Sequence, residues 1–138
     1  MGVLLNPYLS FRDNAREAME FYKSVFGGEL AVNTFGDFGS PVEEGEQGLV
    51  MHSQLEGDNG IVLMGADTPR QMEFKEGSNG SVSLSGDDEN TLRGYWDKLS
   101  GGGTVTVPLE KAPWGDTFGM CVDRFDVSWL INIAGSAG

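Results

Sequence analysis

Glu20-Phe21-Tyr22-Lys23-Ser24-Val25-Phe26-Gly27-Gly28 decides the fold, because the chain writes this pattern twice. Shifted by 74 positions, it falls on Gly94-Tyr95-Trp96-Asp97-Lys98-Leu99-Ser100-Gly101-Gly102. The match runs without a gap from Tyr8–Val32 onto Val82–Thr106, with Asp13 on Asp87, Ala18 on Leu92 and Val25 on Leu99. Each copy reads as an alternating strand, an acidic helix start, an apolar helical stripe, a glycine stop and a second strand. A long pattern seen twice means two copies of one supersecondary unit, since a solenoid needs about three or more. Two such halves facing each other make a cleft, and small ligands bind in such clefts.

The flanking sequence extends each copy. Leu5, Pro7, Leu9 and Phe11 alternate with Asn6, Tyr8 and Ser10, a strand with one apolar face. Asn14 and Glu17 form the pattern of a capping box before a helix carrying Ala15, Ala18, Met19, Tyr22 and Phe26. Leu30 to Phe35 reads as a strand and Gly36 to Gly48 as a polar, mobile loop. Leu49 to Leu55 and Ile61 to Met64 are strands joined by Asp58-Asn59-Gly60, a hairpin signal. Thr68 to Asn79 connects the halves. The second copy continues with Ser81 to Ser85, a helix from Asp88 to Leu99, and Thr104 to Leu109. A loop with Trp114 follows, then a hairpin of Thr117 to Val122 and Val127 to Ile133. The expected fold is therefore α+β, each half a strand, a helix and three strands, with the helices on one side of the sheet.

Composition narrows the function. The 138 residues are one domain's worth, and 39% hydrophobic content is enough for a core. No apolar run is long enough to span a bilayer and no cleavable leader is read, so the expected compartment is the cytoplasm. The single cysteine, Cys121, agrees with a reducing compartment. A net charge of −12 argues against nucleic acid and against anionic membranes. Glu43, Glu44 and Glu46 read as a solvated loop.

If each strand's apolar set packs on the helices, the alternate set lines the opposite face. That set holds Asn6, Tyr8 and Ser10, then His52 and Gln54, then Ser81, Ser83 and Ser85, then Ser128, Leu130 and Asn132. These uncharged hydrogen-bonding groups suit a mildly polar organic ligand, or are half-solvated strand positions with no ligand. Trp129 has the opposite parity to Asn132 and belongs to the core.

The opening Leu5-Asn6-Pro7-Tyr8-Leu9 and the Phe21-Tyr22 to Phe26-Gly27-Gly28 helix resemble the vicinal oxygen chelate superfamily. That superfamily holds glyoxalase I, extradiol dioxygenases and bleomycin-resistance proteins. Trp114-Gly115-Asp116-Thr117-Phe118-Gly119-Met120, Asp123-Arg124-Phe125 and Trp129-Leu130-Ile131-Asn132 are similar to its PhnB-like branch. The resemblance covers essentially the whole chain. It implies a single domain over 1–138, with βαβββ modules at about 3–67 and 80–134. It also implies that the two sheets close into a cupped half-barrel with helices on the outer face, and that the protein is a homodimer.

In metal-dependent members, four side chains, usually His and Glu, hold a divalent ion in that cup. The resemblance places Asn6, Leu63, Ser81 and Leu130 at those positions. A catalytic ion needs about three ligands from His, Cys, Asp or Glu, so no metal and no cofactor is expected. The alternative is a divalent-metal lyase, isomerase or dioxygenase with unusual ligands. A third reading is a non-catalytic interaction module.

His52 is either a base or a structural hydrogen-bonded residue. Cys121 reads as a small buried residue. Trp114 either stacks on a flat ligand or packs back as a lid. Asp116 either orients a ligand amine or caps its turn, and Phe35 and Phe38 flank the mobile loop. No phosphate loop and no Ser-His-Asp arrangement is present. Relatives have been labelled methyltransferases, but no Rossmann-type glycine turn for a nucleotide-like methyl donor is visible. The sequence reading is thus a metal-free protein that sequesters or recognises a small organic molecule. Asn6, Tyr8, His52, Ser81, Trp114 and Asn132 are its candidate site residues; no catalytic residue is assigned.

Overall fold

A computed structural model describes residues 6–39, 42, 44–70, 72 and 80–135 of the chain. The chain divides into two compact units, 1–78 and 79–138. The first unit contains β1 (Tyr8–Phe11), α1 (Ala15–Phe26), β2 (Glu29–Thr34), β3 (Val50–Glu56) and β4 (Val62–Asp67). The second contains β5 (Ser81–Gly86), α2 (Glu89–Ser100), β6 (Thr104–Lys111), β7 (Thr117–Val122) and β8 (Ser128–Ile133). Each unit is a four-stranded mixed sheet with equivalent order, β1-β4-β3-β2 and β5-β8-β7-β6. β1 runs parallel to β4 and β5 parallel to β8, and the remaining pairs are antiparallel. The α+β class and the strand-helix-three-strand halves read from the sequence are the observed ones. Leu4, Leu5 and most of the connector after Arg70 lie outside the described residues.

In the first unit, α1 buries Ala15, Ala18, Met19, Tyr22, Val25 and Phe26 at the helical spacing of its stripe. These face Leu9, Phe11, Leu55 and Leu63, each at most 2% exposed. Gly65 of β4 belongs to this contact, because a Cβ there would meet the Met19 sulfur at 3.0 Å and the Phe11 ring at 3.2 Å. In the second unit, α2 buries Leu92, Tyr95, Trp96 and Leu99. Gly119 opens the sheet for Trp96, since a Cβ there would sit 2.9 Å from its ring.

The repeat is not gap-free in space. The two helices keep the 74-residue shift, with Asn14 and Asp88 at their N-caps. The strands on either side are displaced by one more residue. Leu9 and Phe11 face α1, whereas Ser83 and Ser85, their gap-free partners, are exposed. Three residues join β1 to α1, but two join β5 to α2. The third glycine of Gly101-Gly102-Gly103 restores the length, so Gly103 takes the place of Gly28. A Cβ at Gly28 would lie 1.9 Å from the Glu56 carbonyl oxygen, and one at Gly103 2.1 Å from that of Val122. A one-residue slip turns every side chain of a strand over, which is why the strand positions reveal it.

The capping box does not form. The Asn14 side chain makes no cap bond. Instead the Ala15 amide donates to Asp67 Oδ1 at 2.9 Å and the Val50 amide donates to Asp67 Oδ2 at 2.9 Å. Asp67, 5% exposed at the end of β4, thereby ties the start of α1 to the start of β3. In the second unit Asp88 does cap, accepting from the Thr91 amide at 3.2 Å.

Glu46 corrects the reading of a solvated acidic loop. It is 1% exposed, and its carboxylate accepts from the Arg70 amide at 3.0 Å. The loop expected to be mobile is also pinned at both ends, by Phe35 N–H to Leu49 O and Gly36 N–H to Gln47 O. Phe35 is buried. Glu43 and the Phe38 side chain lie outside the described residues.

Candidate functional site

The helix-free face of the first unit's sheet carries Tyr8 and Ser10 on β1, Met64 and Ala66 on β4, His52 and Gln54 on β3, and Ala31 and Asn33 on β2. Register fixes the rows: Tyr8 lies beside Met64, Met64 beside Gln54, and Gln54 beside Ala31. Leu63 therefore cannot be the β4 residue on this face. It is 2% exposed and points to α1, and Met64 replaces it. Asn6 precedes β1 instead of lying in it, and is half-buried.

Tyr8 and His52, 44 residues apart, meet on this face. The Tyr8 hydroxyl lies 3.3 Å from His52 Nδ1 and the ring centroids are 5.8 Å apart. Burial raises the Tyr8 phenol above its ordinary value, so the hydroxyl keeps its proton. A phenol is a better donor than acceptor, and a bare imidazole nitrogen is a good acceptor. In the tautomer whose Nδ1 is bare, Tyr8 O–H donates to it and Nε2–H of His52 is left as a donor. Beside this pair lies an open groove of about 440 Å³, lined by Glu29, Leu30, Ala31, His52, Gln54 and Glu56. Glu29 and Glu56 are direct cross-strand partners at one end of it. Gln54 Nε2 donates to Glu56 Oε1 at 3.2 Å. The sequence reading missed Glu29 and Glu56, because only the β2–β3 register brings them together.

The second unit's open face holds the other three candidates. Ser81 is exposed and pairs in register with Ser128. Asn132 lies beside Phe118 and donates its amide to Asp116 Oδ2 at 2.9 Å. Asp116 Oδ1 also accepts from the Gly135 amide at 2.8 Å. The Asn132 amide, then the Gly135 amide, hold the Asp116 carboxyl below its ordinary value. Asp116 is thus engaged by its turn and by Asn132, as its turn-capping reading expects. Trp114 is 63% exposed, edge-on to Phe118 at 5.8 Å between centroids.

Two sequence-singled residues are structural. Trp129 is 1% exposed, and its indole N–H donates to Asp123 Oδ2 at 2.8 Å. Asp123, itself buried, also accepts from the Phe125 and Val127 amides at 2.8 and 3.2 Å. Burial, then the Asp123 charge, pushes the Cys121 thiol up to about 11, which removes its nucleophilicity.

The metal-binding places of the superfamily do not fit an ion here. Asn6, Met64, Ser81 and Leu130 offer no ionisable ligand. Among the described residues, no group of three His, Cys, Asp or Glu side chains is placed to hold one.

Two strand-helix-three-strand units with mixed sheets of equivalent order are the fold of a glyoxalase/bleomycin resistance protein/dioxygenase domain from Frankia sp., which shares 14% identity with this chain, covers 97% of it and 98% of its own length, and has a TM-score of 0.66. The chain belongs to the family described as 3-demethylubiquinone-9 3-methyltransferase, whose pattern it matches over residues 4–132. It is similar to protein PA1353 from Pseudomonas aeruginosa, with 32% identity, 98% of this chain and 100% of that one covered, and a TM-score of 0.85. It is 26% identical to a PhnB protein from Bacillus cereus, covering 96% of this chain and 100% of that one, with a TM-score of 0.71. Protein YjdN of Escherichia coli K12 shares 26% identity, with 94% of each chain covered.

Proposed function

We propose that the protein binds a small organic molecule on the open face of its first sheet, without a metal, by recognition or sequestration. The observation that carries this reading is the Tyr8–His52 pair beside a groove of about 440 Å³. Ligand sites combine a concavity with a few placed polar groups, and Nε2–H of His52 and the Gln54 amide are such groups. Asn6 flanks this face. Ser81, Trp114 and Asn132 are proposed as a secondary contact surface, with Trp114 as its aromatic platform. Methyl transfer is disfavoured: the β1–α1 turn is Arg12-Asp13-Asn14, with none of the glycines that admit a nucleotide-like donor.

The test is a fragment screen on isotope-labelled protein by NMR. Bound fragments are expected to move the His52 and Tyr8 resonances. Fragments that move only Trp114 and Asn132 would relocate the site, and a library that moves neither set would refute binding. The alternative is the divalent-metal enzyme: elemental analysis finding one ion per purified chain would favour it. We also propose a cytoplasmic homodimer. No helix among the described residues is long and apolar enough to cross a membrane. Support for pairing is the edge strand β6, with Val105 and Val107 at 46% and 37% exposure. A monomer by light scattering at micromolar concentration would contradict it.

A further inference from the structure

The groove on the first sheet has two chemically different ends. At one end, the Tyr8 hydroxyl engages His52 Nδ1, so Nε2 is the ring nitrogen left to a ligand, as an N–H donor in the tautomer that accepts from Tyr8. At the other, Glu29 and Glu56 stand directly opposite each other across β2 and β3. Like charges at directly paired strand positions destabilise a sheet. Among the described residues, neither carboxylate takes part in the Asp13–Arg70 or the Glu89–Arg93 ion pair. Between the ends, Ala31 and the stem of Gln54 form a low floor. His52 and Glu56 are four residues apart on one strand face, roughly 13 Å along β3. A chain net charge of −12 raises the local concentration of cations and depletes anions.

We propose that the ligand of this groove is an aliphatic amine carrying a neutral hydrogen-bond acceptor at its far end, such as an N-acylated diamine. Its acceptor meets Nε2–H of His52, its methylene chain lies over Ala31 and Gln54, and its ammonium sits between Glu29 and Glu56. The ammonium relieves the repulsion that the bare pair carries. This assignment rests on the small-molecule reading above and names the ligand class for that same groove.

The test titrates full-length labelled protein by NMR with three probes: mono-acetylated hexamethylenediamine, the bis-acetylated form, and the free diamine. The mono-acetylated probe is expected to bind about tenfold more tightly than the bis-acetylated one, as one charge-assisted hydrogen bond provides. It is also expected to outcompete the free diamine, which lacks an acceptor for His52. The double variant Glu29→Gln, Glu56→Gln should remove the preference for charge, and His52→Phe the preference for the acetyl end. Thermal melts of both confirm folding. Equal affinity for the mono- and bis-acetylated probes overturns the assignment. A neutral fragment that binds at His52 while all three probes fail also overturns it, and leaves the binding reading standing. Failure of every fragment and every probe to move His52 sinks both.

Discussion

The two helices answer to one sequence pattern and are seated differently. Ala15, Met19 and Phe26 of α1 are all buried, and their counterparts in α2 are Glu89, Arg93 and Ser100. The first unit therefore leans on its helix, whose start is held by Asp67. The second leans on its β7–β8 hairpin, where Asp123, Trp129 and Val127 form one buried network. A duplicated unit thus keeps its topology while moving its stabilising contacts from helix to hairpin. All three tryptophans lie in the second unit, so indole fluorescence reports that unit, whereas circular dichroism reports both.

The largest expected effect follows from that asymmetry. Met19→Arg places a guanidinium in a fully buried apolar seat and is expected to cost about 4 kcal/mol or more. The reciprocal change, Arg93→Met, removes an exposed ion pair with Glu89 and is expected to cost about 0.5 kcal/mol or less. Urea denaturation followed by both signals measures each. Comparable losses would mean that the two helices are seated alike after all.

The glycines sharpen the correspondence between the units. Gly28→Ala and Gly103→Ala each drive a methyl into a backbone carbonyl and are expected to cost about 2–3 kcal/mol. Gly102→Ala meets open space apart from Arg124, but its φ of +81° strains an alanine, at about 1 kcal/mol. If Gly102 proved the more costly of the two, the one-residue displacement of the strands would be wrong.

Much of this was legible in the sequence and some was not, for identifiable reasons. Helical periodicity gave the buried stripe of α1, and glycines marked both helix ends. Strand alternation placed Tyr8 and His52 on one face and Trp129 in the core. What periodicity does not encode is register. The meeting of Glu29 with Glu56, and of Met64 with Tyr8, depends on pairing between strands far apart in sequence. The capping box failed for a related reason: Asn14 and Glu17 have the right local spacing, but Asp67, arriving from β4, reaches the Ala15 amide. Burial of Glu46 was hidden likewise, because its partner amide lies at Arg70. In each case a nonlocal partner outcompeted a local rule.

Asp67 and Asp123 offer a finer comparison of the two units' polar anchors. Asp67→Asn keeps one acceptor oxygen and sets an NH₂ against an amide, orphaning either Ala15 or Val50, at about 1–3 kcal/mol. Asp123→Asn does the same to the Trp129 indole N–H, at a similar about 1–3 kcal/mol. Only the second should shift the tryptophan emission of the native state. An emission change in the Asp67 variant would show that its damage spreads beyond the first unit.

The smallest expected effect concerns the availability of the second open face. Asp116 is half-buried at the surface, and its hydrogen bonds to Asn132 and Gly135 compete with water, so they shape the turn more than they stabilise the fold. Its carboxyl is lowered in the folded state, so its contribution is present above the unfolded-state value. That contribution is lost as pH falls through the folded-state value. The Gly135 amide and the Asn132 side-chain amide should therefore titrate together in NMR, at a pH below the ordinary aspartate value of about 3.9. Titration at or above that value would mean that Asp116 does not hold Asn132. The Asn132 amide nitrogen would then join its carbonyl oxygen in being available to a ligand, and the contrast between an engaged second face and an open first face would fail.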